Sequence, residues 1–110
     1  MITITIYQDK DKHYKRFSCE GHAGYAKAGE DIICAAVSVL TINTVNSLEH
    51  FSNVRFGKTR FDEKKGIIDV SFDSELDESG IVLMKSFILG ITNILNDNTA
   101  DYISLFFKEV

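Results

Sequence analysis

The strictest constraint on this chain lies in its first seven residues. Ile2, Ile4 and Ile6 alternate with Thr3, Thr5 and Tyr7. Successive side chains of a strand point to opposite faces, so a period of two describes a β-strand with one face buried and the other open. A chain that begins this way needs a sheet covered on one side. The run Asp9-Lys10-Asp11-Lys12 reads as a solvated turn, and His13–Glu20 as a second strand with Phe17 and Cys19 on one face, so a hairpin joins the two.

Cover for that sheet comes from two segments where the apolar period changes to that of a helix. Ile33, Val37, Leu40, Thr44, Leu48 and Phe51 predict a helix from about Ile32 to Glu49, with Asp31 as its N-cap. Many of its residues are β-branched, so packing rather than propensity should hold it. Val54–Phe61 and Gly66–Phe72 predict a second hairpin around the turn Asp62–Lys65. Ser74 with Asp77 resembles a capping box opening a helix from about Glu75 to Leu95, with Leu76, Leu83, Phe87, Ile91 and Ile94/Leu95 facing the core. Gly90 is placed for close approach to the first helix. After a turn at Asn96–Thr99, Ile103, Leu105 and Phe107 alternate in a last strand, Asp101–Glu109. The order is ββαββαβ, which predicts an α+β fold: a mostly antiparallel sheet with two helices packed on one face.

The 110 residues suit one domain, residues 1–110, and 45% hydrophobic content supplies a core without staples. Two cysteines, Cys19 and Cys34, do not make a disulfide framework. A net charge of −4 argues against a primary role on nucleic acid. The N-terminus lacks a basic leader region and a small-residue cleavage site, and no run approaches the ~18 uninterrupted apolar residues of a membrane span. The expectation is a cytoplasmic protein with both thiols reduced, away from the membrane.

Chemistry is concentrated in one segment. Cys34 falls in Gly29-Glu30-Asp31-Ile32-Ile33-Cys34-Ala35-Ala36-Val37-Ser38, and His22 stands twelve positions upstream in Gly21-His22-Ala23. Between them, Gly21 to Glu30 holds glycines at 21, 24 and 29 and reads as a loop. With Asp31 as N-cap, Cys34 sits in the first helical turn, where the helix dipole favours an anion. The thiolate is the nucleophilic form, and a neighbouring imidazole takes the proton. Free N–H groups at the helix start would serve as an oxyanion hole. The chemistry this predicts is acyl transfer through a thioester, with His22 returning the proton to the leaving amine. Asp31 caps the helix or orients His22. Ser38, one turn below Cys34, bonds into the site or to its own backbone.

Other readings compete. Cys34 as a small buried hydrophobe would make the chain a non-catalytic protein-binding module. Cys19, His22 and Cys34 have tolerable zinc spacing but lack a fourth ligand, so neither metal nor cofactor is expected. Cys19 fits the strand core.

Gly21-His22-Ala23 followed by Asp31-Ile32-Ile33-Cys34-Ala35 and Ser38 resembles the motif of the ribosomal-processing cysteine protease family called Prp. The resemblance covers nearly the whole chain. It implies a homodimeric cytoplasmic endopeptidase that removes a short N-terminal extension from large-subunit ribosomal protein twenty-seven, cutting after a pair of aromatic residues. It makes Cys34 the nucleophile and His22 the base. It also makes the loop from Ala23 to Glu30, with Gly24, Tyr25 and Gly29, a lid that orders on substrate. Ala28 departs from the family, which often carries an aromatic there, and Tyr25 is placed to substitute. An aromatic-accepting pocket lined by apolar residues is expected beside Cys34.

Overall fold

The structure is a computed structural model; it describes the backbone of residues 1–21 and 28–110 and the side chains of residues 1–21 and 32–110. Among the described residues the chain forms β1 (Ile2–Gln8), β2 (Tyr14–Glu20), α1 (Ala28–Phe51), β3 (Phe56–Asp62), β4 (Ile67–Phe72), α2 (Glu78–Ile94) and β5 (Ile103–Glu109). The strands lie in the order β3-β4-β2-β1-β5. Every neighbouring pair is antiparallel except β1 with β5, which run parallel. The ββαββαβ order and the mostly antiparallel sheet are as the sequence predicts.

Residues directly opposite one another on paired strands share a face. Ile4 pairs with Cys19, and Cys19 with Ile68; Ile6 pairs with Phe17, and Phe17 with Val70. These rows make one apolar face, on which Ile33, Val37, Val45 and Leu48 of α1 and Met84, Phe87 and Ile91 of α2 complete the core. Phe17 is fully buried, its ring 5.1 Å from that of Phe87 and 6.1 Å from that of Phe72. Thr41 and Thr44 are buried too, and their hydroxyls donate back to the carbonyls of Val37 (2.6 Å) and Leu40 (2.7 Å). Each hydroxyl is thus satisfied within its own helix.

Several boundaries differ from the sequence reading. α1 begins at Ala28 instead of Ile32, so Gly29 is helical and Asp31 is not the N-cap. Ala and Glu are strong helix formers, and one Gly costs only about 1 kcal/mol relative to Ala, too little to end a helix held by packing. Phe51, expected in the core, is 72% exposed because it closes α1 beyond its packed stretch. α2 starts at Glu78, and Asp77 is its N-cap: one carboxylate oxygen accepts from the Gly80 N–H at 2.9 Å and the other from the Asn53 N–H at 3.0 Å. Its most buried face runs through Met84 while Leu83 is half-buried. Gly90 does lie against the first helix: a Cβ there would stand 2.6 Å from Leu40 Cδ2.

Candidate active site

Cys34 is the seventh residue of α1, nearly two turns in. The dipole effect fades within the first turn, and the free N–H groups of a helix belong to its start. The expected placement of Cys34 at a helix N-terminus is therefore corrected.

α1 instead contributes a stripe. Cys34, Val37, Ser38 and Ile42 follow helical spacing and form one wall of a cleft of about 410 Å³. Ile2, Cys19 and Gly21, at one end of β1 and β2, make its floor, and the β3–β4 hairpin supplies the facing wall through Phe61–Glu63 and Gly66–Ile68. Cys34 is half-buried and has no disulfide partner. The walls are mostly apolar, with Phe61 56% exposed. Besides the thiols, the ionisable groups on the described walls are the carboxylates of Asp62 and Glu63.

The other thiol, Cys19, is buried. Burial pushes Cys19 up to about 11, partly opposed by a hydrogen bond with the Thr41 side chain, and Cys34 is near enough to raise it further. Cys19 is thus a protonated core thiol at neutral pH, consistent with its reading as strand core.

Gly21 explains part of the motif. Its φ of +118° lies where side-chain-bearing residues are disfavoured, and a Cβ there would overlap the carbonyl oxygen of Met1. Its N–H donates to the Gly66 carbonyl at 2.9 Å. The chain is therefore pinned to the β3–β4 turn at the residue before His22. That turn is closed by the Lys65 N–H donating to Asp62 Oδ1 (3.0 Å) and by Gly66 at φ +64°.

Of the predicted site residues, Cys34 and Ser38 are brought together on one cleft wall. His22, Ala23, Gly24 and Tyr25 lie outside the described residues, as does the side chain of Asp31. Gly29 belongs to α1 and not to a loop. The zinc alternative also involves His22 and falls partly outside the described residues. Sequence reasoning missed Ile42, Phe61, Asp62, Glu63 and Ile67 as cleft residues. No local pattern marks Phe61, whose alternate neighbours in β3 are Thr59 and Gly57; only the register Phe61↔Ile68↔Cys19 places it beside Cys34's wall.

A family model described as Cysteine protease Prp matches residues 1–104. The chain is 38% identical over 48 residues to the ribosomal processing cysteine protease Prp of Bacillus subtilis, a match that spans 44% of this chain and 43% of that protein. It is 26% identical over 89 residues to the Staphylococcus aureus protein of the same name, spanning 80% of this chain and 83% of that protein. The fold superposes on a crystal structure of S. aureus Prp with a covalently linked product peptide (TM-score 0.85, 20% identity, 98% of this chain and 100% of that one). It also superposes on a Streptococcus mutans protein (TM-score 0.78, 31% identity, 100% of this chain and 96% of that one).

Proposed function

The chain belongs to the family of cysteine protease Prp, and from that premise we propose that it is a cytoplasmic endopeptidase that removes the N-terminal extension of large-subunit ribosomal protein twenty-seven, cutting after aromatic residues. The observation that carries this reading is Cys34, half-buried on an apolar cleft whose floor includes Gly21, the residue before His22. Two relatives in the comparison carry ribosomal processing in their names.

In the proposed reaction His22 takes the proton of Cys34, and the thiolate attacks the carbonyl carbon of the scissile bond. The tetrahedral intermediate collapses with proton transfer from His22 to the leaving amine, and water then hydrolyses the thioester. Ile42, Phe61 and Ile67 offer apolar and aromatic surface to the substrate's aromatic side chain. Ser38 offers a hydroxyl on the same wall, one turn from the sulfur. In this reading Asp31 orients His22. Ala28, Gly29 and Glu30 are helical, so that end of the expected lid is not a loop. The reading is tested by incubating the protein with the extended ribosomal protein and measuring intact mass: two products are expected, and an unchanged substrate would overturn it.

The dyad has its own test. Cys19 is protonated at neutral pH, so a haloacetamide should add once, at Cys34, in native protein. In His22→Ala that rate is expected to fall about tenfold near pH 7, and equal rates would remove His22 as the base.

A homodimer is part of the proposal. The stretch Ile32–Phe51 is apolar enough, by length and composition, to cross a membrane, yet it packs on the sheet, and only 33% of its most apolar 18 residues are buried. Ile32 (70% exposed) and Val39 (69%) stand on its uncovered side, the kind of surface a second copy covers. Sedimentation should show a dimer that Val39→Asp converts to monomer; a monomeric wild-type chain would overturn the pairing.

A further inference from the structure

The outer edge of β3 adjoins the cleft and is unused. β3 closes one side of the sheet, and among the described residues no strand pairs with its outer side. Such an edge presents free N–H and C=O groups to any extended chain, and proteins without a partner for it blunt it. Here the blunting is uneven. The register of β3 against β4 shifts between Phe56 and Thr59, the half away from the cleft. From Thr59 to Asp62 the pairing with Val70 to Ile67 is unbroken, and this regular half ends in the cleft wall at Phe61 and Asp62. The opposite edge strand, β5, contributes nothing to that wall.

We propose that the substrate backbone adds to the outer edge of β3 as a further strand and then turns into the cleft toward Cys34. This deepens the proposed function and rests on it. Strand addition gives affinity through main-chain hydrogen bonds and leaves alternate side chains to pockets. The dimensions agree. Phe61, Ile68 and Cys19 form one cross-strand row, with Cys34 on the wall above Cys19. An added strand outside β3 stands three strand spacings from Cys19, roughly 14 Å. Extended chain advances about 3.3 Å per residue, so about four residues bridge the strand-paired segment and the scissile bond. The bridging residues meet the apolar walls and are read by side chain. The paired residues beyond them are held by backbone.

The probe is a set of peptides copying the extended N-terminus of ribosomal protein twenty-seven, each with one backbone N–H methylated. Binding to the Cys34→Ala protein is read by fluorescence anisotropy. Beyond about four residues from the scissile bond, methylation is expected to weaken binding about fivefold at every second position and to leave the positions between unchanged. A flat profile there, whether uniformly weakened or unaffected, overturns the added strand while leaving the proposed protease standing. If the unmodified peptide does not bind, the added strand is overturned as well, and cleavage of the whole extended protein by wild type then decides whether the proposed function falls with it.

Discussion

Cys34→Ala is expected to abolish cleavage of the extended ribosomal protein, by at least about a thousandfold, while leaving the fold in place. The loss is large because covalent catalysis has no substitute once the attacking atom is gone, and the remaining groups supply only binding and polarisation. The fold should survive because Cys34 is half-buried at the border of the core, and Ala is the strongest helix former at a position nearly two turns inside α1. The exchange creates no sealed cavity, since the vacated volume opens into the cleft. Thermal unfolding should therefore shift by only a few degrees. Continued trimming by the Ala variant, read as intact mass, would refute the nucleophile. A collapse of stability alongside lost activity would instead assign the thiol a packing role.

Local periodicity carried most of the fold. The alternation Ile2, Ile4, Ile6 becomes β1, an interior strand whose three side chains are among the most buried of the described residues. Helical spacing located both helices, and Gly90 against Leu40 was legible as a close approach. What local pattern cannot hold is pairing between distant segments. That β5 lies parallel beside β1, and that β3 ends up at the edge, depends on contacts between residues far apart in the chain. The cleft depends on the same information. Phe61 becomes its wall only through the register with Ile68 and Cys19, so a sequence reading assigns Cys34 and Ser38 but not the surface opposite them. The start of α1 was misplaced for a different reason. By its own propensity Gly29 reads as a loop residue, whereas a long helix held by tertiary packing absorbs a single glycine.

Gly21→Ala is expected to lower stability by roughly 2–4 kcal/mol, about 10–15 °C in Tm, and to reduce cleavage even where the protein remains folded. Two independent costs act at this residue. A φ of +118° is open to glycine and strained for alanine. The added Cβ would also overlap the backbone carbonyl of Met1, and backbone next to β1, the strand between β2 and β5, has little room to yield. Rotating away would break the 2.9 Å bond from the Gly21 N–H to the Gly66 carbonyl. That bond ties the chain entering His22 to the turn that forms the cleft's facing wall. Stability and activity are thus coupled through one hydrogen bond and one forbidden methyl group. Measured well below its own Tm, the folded variant should still lose kcat, because the segment carrying the base is re-aimed relative to the sulfur. An unchanged Tm would show that the Met1 contact is not close in solution. A lowered Tm with undiminished kcat would show that the Gly of the Gly-His-Ala motif serves folding alone, and that residue 22 is positioned from the α1 side.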